Sequence, residues 1–143
     1  MSIAFTFTTM TNNKKREDLI TRAERLQGAI STLNSTIQQI KTTGDIAPPK
    51  CYVLRYQARG KDKTYYYYKL HASLPVFTTN AGNKSKYKHL GKAGTVAHVE
   101  AVMDVARRSQ IDSLQRAVDS LTESWQDLNK MLENQTVQSE SSG

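Results

Sequence analysis

Leu19, Ala23, Leu26, Ile30, Leu33, Ile37 and Ile40 recur at alternating intervals of four and three residues. This spacing constrains the fold more than any other feature, because it gathers the apolar side chains on one narrow helical stripe that needs a second helix to cover it. The chain supplies a matching stripe in Ile111, Leu114, Val118, Leu121, Trp125, Leu128 and Leu132. Val99, Met103 and Ala106 extend the apolar side of that second helix upstream, and carrying the register through them places Arg107 on the seam, so a stutter is expected over residues 107–110. The pattern predicts coiled-coil helices over 12–43 and 95–134. Asn12 or Asn13 and Thr95 are the expected caps, Thr42-Thr43-Gly44 the first helix's end, and Pro48-Pro49 a bar to its return. Gly28 lies off the stripe and costs about 1 kcal/mol relative to alanine.

Between the helices the composition changes. Residues 50–94 hold ten Lys and Arg side chains against one acid, Asp62, a net +9, whereas the whole chain of 143 residues carries +7. Residues 1–49 carry +2 (six basic, four acidic) and residues 95–143 carry −4 (four basic, eight acidic). A basic block confined to one segment is the footprint of a polyanion-binding surface. Within it, alternation predicts a three-stranded antiparallel meander. Tyr52, Leu54, Tyr56 and Ala58 share one side of the first strand, Arg59 to Asp62 form a turn with Gly60 or Asp62 in unusual backbone angles, and Tyr66, Tyr68 and Leu70 form the apolar set of the second strand. A loop of about a dozen residues leads to a third strand with Lys84, Lys86 and Lys88 on one side and Tyr87 on the other. One face is expected to be aromatic and packed, with Tyr66 and Tyr68 in the core. The other would bear Arg55, Lys63, Tyr65, Tyr67, Lys69, Lys84, Lys86 and Lys88.

The expected fold is therefore α+β: a long antiparallel coiled-coil hairpin with a small three-stranded antiparallel β head inserted between its helices. Residues 1–11 are expected to be a flexible N-terminus, despite an Ile3, Phe5, Phe7 alternation that would suit a short strand, and residues 135–143 a disordered tail. A two-helix hairpin covers little of so rich a seam, so a dimer is expected, with Leu26, Ile30, Leu33, Leu114, Val118, Leu121, Trp125 and Leu128 as its oligomerisation residues.

For function, the basic head points to DNA. Arg55, Arg59, Lys61, Lys63, Lys69, Lys84, Lys86, Lys88 and Lys92 would neutralise phosphates, and Tyr65 and Tyr67 would donate to phosphate or stack on a base. A two-stranded ribbon fits a major groove, where Arg55 or Arg59 could read guanine, and a two-fold protein matches two half-sites. Single-stranded nucleic acid or RNA is an alternative, as is an adaptor role towards an acidic protein, including a phage or host-defence factor. No enzyme, cofactor or metal site is expected. His71, His89 and His98 lack ligand spacing, the tyrosine run lacks the partners of a nucleophile, and Gly91-Lys92-Ala93-Gly94-Thr95 lacks P-loop spacing. No apolar run is long enough for a membrane span, and a lone Cys51 without a secretory signal favours the cytoplasm.

Tyr65-Tyr66-Tyr67-Tyr68-Lys69-Leu70, then Lys86-Tyr87-Lys88-His89-Leu90-Gly91, then Arg107-Arg108 leading into Ile111 and Leu114, resemble a small uncharacterised bacterial domain found near mobile elements. The resemblance covers about residues 50–132 and implies the hairpin-with-head architecture and a mobile-element or plasmid setting, with no activity attached. Members of that group carry several cysteines before the tyrosines; Cys51 alone stands here.

Overall fold

In a computed structural model, the backbone is described for residues 2–61 and 63–141, and side chains for 14–61 and 63–138. Two helices flank a small antiparallel sheet: α1 (Ser2–Thr42), β1 (Cys51–Arg59), β2 (Thr64–Ala72), β3 (Phe77–Thr78), β4 (Lys84–Ser85), β5 (Tyr87–Gly91) and α2 (Val96–Ser141). The α+β class and the three-stranded antiparallel sheet are as the sequence predicts. The chain divides into two compact units, Met1–Ile37 with Leu114–Gly143, and Gln38–Ser113. No helix among the described residues is long and apolar enough to cross a membrane.

Helix α1 runs through the residues expected to form a flexible or strand-like N-terminus. A helix already nucleated downstream extends at little cost per residue, whereas an isolated strand has no ladder to join. Asn12 and Asn13 consequently lie inside the helix, not at its start. Helix α2 likewise continues to Ser141, past the point where the tail was expected to begin, while residues 142–143 lie outside the described residues. In the helical unit, Leu19 and Ile37 of α1 and Val118 and Leu128 of α2 are buried. The other stripe residues, Ala23, Leu26, Ile30, Leu33, Leu114, Leu121, Trp125 and Leu132, are half-buried. Arg22, Arg25 and Leu26 of α1 line one cleft of about 520 Å³ with Ser124, Asp127, Leu128 and Met131 of α2.

In the other unit, strand β2 is central, flanked by β1 and β5, and β3 pairs with β4 as a separate two-residue ribbon. The expected third strand is thus split at Lys86: its first half joins β3, and its second half joins β2. The core consists of Ala47, Cys51, Leu70, Ala72, Leu90 and Ala101, with Val53, Tyr68, Phe77 and Val105 packed against it. Ala101 and Val105 bring α2 into this core. Val99 and Met103, expected on the apolar side, are each 50% exposed, and Ala106 is exposed too. At 100° per residue these three lie roughly opposite Ala101 and Val105, so the periodicity found a real stripe on the outward side.

The segment between α1 and β1 is held to α2 through its backbone. Ala47 N–H donates to the Asp104 carbonyl at 3.2 Å. Arg107 Nε donates to the Asp45 carbonyl at 2.8 Å, and Arg108 Nε to the Ala47 carbonyl at 2.7 Å. Asp104 and Asp112 steady the two guanidinium groups at 2.9 and 3.5 Å. Arg107, expected as a fault in a seam, is instead half of a clamp. The segment ends in a turn where Pro49 precedes Lys50 at φ 54°, the left-handed position that a type II turn normally fills with glycine.

Candidate nucleic-acid interface

Register decides which side chains meet. Strand β1 pairs with β2 as Tyr52↔His71, Leu54↔Lys69, Tyr56↔Tyr67 and Ala58↔Tyr65. Directly opposed residues of an antiparallel pair share a face, so even positions of β1 lie with odd positions of β2. This corrects the expected sorting, which placed Arg55 with Tyr65 and Tyr67, and Tyr52 and Tyr56 away from them. The cause is the loop: four residues separate Arg59 from its partner Thr64, and an even loop inverts parity between strands. Gly60 serves that loop without a left-handed φ. A Cβ there would sit 2.6 Å from Cε2 of Tyr65, so its absence makes room for the ring. Asp62, the other candidate turn residue, lies outside the described residues.

One face therefore carries Tyr52, Tyr56, Tyr65, Tyr67, Lys69 and His71, joined from β5 by Tyr87 and His89, which pair with His71 and Lys69. His71 lies between two tyrosines, 4.9 Å from each of the Tyr52 and Tyr87 centroids, tilted by 51° and 53°. Tyr56 stacks on Tyr67 at 5.9 Å, and its hydroxyl is 3.2 Å from His89 Nδ1. Lys69 Nζ lies over both groups, 4.9 Å from the Tyr56 ring and 4.4 Å from Tyr87. Lys92 Nζ is 5.3 Å from the Tyr65 centroid. Such cation–π contacts hold a flexible lysine upright while leaving its charge open to a further anion. His71 Nδ1 is buried without a hydrogen-bond partner in this layer of rings.

The opposite face is core near α2 and open towards the hairpin tip. Tyr68 stacks on His98 at 3.9 Å and 25°, and His98 closes the start of α2. Its backbone N–H donates to Thr95 Oγ1 at 3.2 Å, and its Nδ1 accepts from Gly94 N–H at 3.0 Å. Thr95 is the cap that its position implies. The amides of Gly94 and His98 are thereby occupied, while Gly91 and Gly94 at φ 85° and 78° serve the turn into the helix. Tyr66, expected in the core beside Tyr68, is 44% exposed, with Arg55 stacked over its ring at 4.5 Å and Gln57 Nε2 donating to its hydroxyl at 3.0 Å. It lies on the core side but beyond the reach of Ala101 and Val105.

The expected basic residues consequently divide. Lys69 and Lys92 accompany Tyr65 and Tyr67 on the ring face. Arg55 and Arg59 lie on the other, as does Lys88, which pairs with Leu70. Lys61 and Lys63 sit in the tip loop. Lys84 Nζ donates to Thr78 Oγ1 at 2.7 Å across the ribbon, and Lys86 occupies the bend where its carbonyl accepts from Ala72. Of the residues missed, Tyr52 and Tyr56 were findable from loop parity and His71 from its odd position beside Tyr67 and Lys69, whereas Tyr87 and His89 depend on the β2–β5 register, which the loop does not set. No cluster of three or more His, Cys, Asp or Glu able to hold a metal occurs among the described residues. Burial pushes the Cys51 thiol above its ordinary pKa, which keeps it protonated and unreactive. No protein-family model, curated protein or solved structure matches the chain.

Proposed function

We propose that this chain is a non-enzymatic DNA-binding protein whose sheet is the contact surface and whose helices pair as an antiparallel coiled-coil hairpin, the hairpins of two chains packing as a dimer. The observation that carries the reading is the open sheet face on which Lys69 stands upright among tyrosine and histidine rings, in a segment with ten basic side chains and one acid. Cations neutralise phosphates and rings stack on bases, and the two together match nucleic acid better than any neutral ligand. The half-buried Leu26, Ile30, Leu33, Leu114, Leu121 and Trp125, flanking the buried Val118 and Leu128, support the dimer, since a second hairpin would cover them. The resemblance to a mobile-element domain supports a regulatory or accessory role beside such an element, in the cytoplasm.

The test is affinity for DNA across a salt series. A head making several phosphate contacts gives a steep log–log slope; absence of binding at low salt sinks the reading. The inter-helix cleft, with Arg22 and Arg25 beside Leu26 and Met131, favours a second reading, an adaptor that holds an acidic protein segment. Protein purified without nuclease separates the two through its absorbance at 260 and 280 nm, because only the first reading carries nucleic acid along. Trp125→Ala should lower the mass measured by sedimentation if the dimer is right.

A further inference from the structure

We infer that the ring face is a platform for a single strand, reading two unpaired bases on either side of one phosphate held by Lys69; this rests on the nucleic-acid reading above and specifies its ligand. The face is laid out in rows across the strands. Tyr52, His71 and Tyr87 form one aromatic row through the register Tyr52↔His71↔Tyr87. Tyr56 and Tyr67 form another, and Lys69 lies in the row between. The two ring rows are four residues apart, about 13.6 Å along the backbone, but their side chains converge on Lys69. Its Nζ is 4.9 Å from the Tyr56 ring and 4.4 Å from the Tyr87 ring, so these two rings are no more than about 9.3 Å apart; that suits neighbouring bases of an extended strand better than the base-to-base rise of about 3.4 Å in a duplex. Tyr52 and Tyr87 are 47% and 43% exposed, so although His71 lies against both rings and Lys69 Nζ against Tyr87, much of each π-surface stays open. A duplex hides its base faces and offers such rings nothing to stack on, whereas every unpaired base has an open face. The arginines suited to groove reading support the same choice: Arg55 is on the opposite face with its guanidinium over Tyr66. Charge complementarity fixes the occupant as an anion, and the rings fix it as one with flat apolar units.

The experiment titrates the full chain with fluorescein-labelled single-stranded DNA, single-stranded RNA of the same sequence, and the corresponding DNA duplex. Single strands should bind at least tenfold more tightly than the duplex, and the DNA and RNA arms show which sugar is preferred. Tyr87→Ala and Tyr52→Ala should each weaken single-strand binding roughly five- to hundredfold, while Tyr87→Phe, which keeps the ring, should bind as the parent does. Lys69→Gln should lower the magnitude of the salt slope by about 0.7, the value for one phosphate on a single strand. Melting curves and sedimentation accompany each variant. Equal or tighter duplex binding, or ring variants that bind normally, overturns the platform while leaving the DNA reading intact. Ring variants that change the oligomeric state and leave binding unchanged overturn it too, since the face would then be covered by a second copy. Failure to bind any of the three probes sinks both.

Discussion

Gly44→Ala should destabilise this protein, and Arg107→Ala should reverse the sign of that effect. A Cβ on Gly44 would lie 2.5 Å from Cζ and Nη2 of Arg107 and 2.9 Å from Nη1. The guanidinium is pinned by its bonds to the Asp45 carbonyl and the Asp104 carboxylate, with the side chain only 16% exposed. Moving it away forfeits a charge-assisted bond, worth about 1.5–3 kcal/mol when buried, and a helical ion pair worth a few tenths. Partial access of water to both brings the loss to about 2 kcal/mol. Gly44 has no left-handed φ, so alanine fits its backbone and narrows the unfolded ensemble, a gain of about 0.4–1 kcal/mol. The net cost of Gly44→Ala is therefore about 1–1.5 kcal/mol in the parent. In an Arg107→Ala background the clash is gone and the same substitution should stabilise by about 0.4–1 kcal/mol. Urea unfolding of the four proteins in this double-mutant cycle gives a coupling energy of about 2 kcal/mol if the reasoning holds. A Gly44→Ala cost that is the same with and without Arg107 would refute it.

Tyr68→Ala should cost about 3 kcal/mol, through lost core packing and the His98 stack, while half-exposed Tyr66→Ala should cost under about 1 kcal/mol; similar losses in thermal melts would mean the strand's faces are misassigned. Lys50→Gly should raise the urea midpoint by the equivalent of about 1 kcal/mol by relieving the φ of 54°, and a fall would show that the lysine side chain matters more than the turn. Cys51 should resist thiol reagents in the folded chain. Because its folded pKa is raised, the unfolded chain loses the thiol proton first as pH climbs through about 8.5, so this group makes stability fall above that pH. Cys51→Ala should remove that share of the alkaline slope; an unchanged slope refutes it.

Local rules and long-range rules differed in what the sequence disclosed. The intervals from Leu19 to Ile40 and from Ile111 to Leu132 located both helices, and Thr95 and Gly44 marked ends correctly, because caps and periodicity depend on neighbouring residues. The tyrosine run gave a strand, and alternation gave two sets, but which β1 set joins which β2 set depends on the parity of residues 60–63. That was a countable quantity, and counting it would have brought Tyr52 and Tyr56 to the site. Val99, Met103 and Ala106 illustrate another limit: apolar spacing defines a stripe without saying whether anything packs on it, and here the alanine and valine at 101 and 105 do the packing. Lys86 could not be read as a break, since the pairing of Phe77 with Ser85 that diverts the chain there is made between short, weakly marked segments.

The clamp at Arg107 and Arg108 grips main-chain carbonyls, and Asp104 receives a main-chain amide through its own carbonyl. A joint made this way is indifferent to the side chains it holds. Exposed position 45 is free to drift in sequence, or to be randomised in a library, while the connection persists, whereas Ile46 is half-buried and Ala47, 3% exposed, must stay small. Variation in this molecule should therefore accumulate on one partner of the joint and be refused by the other. Any collection of functional variants selected for folding alone should keep both arginines, Gly44 and Ala47 while position 45 between them changes freely.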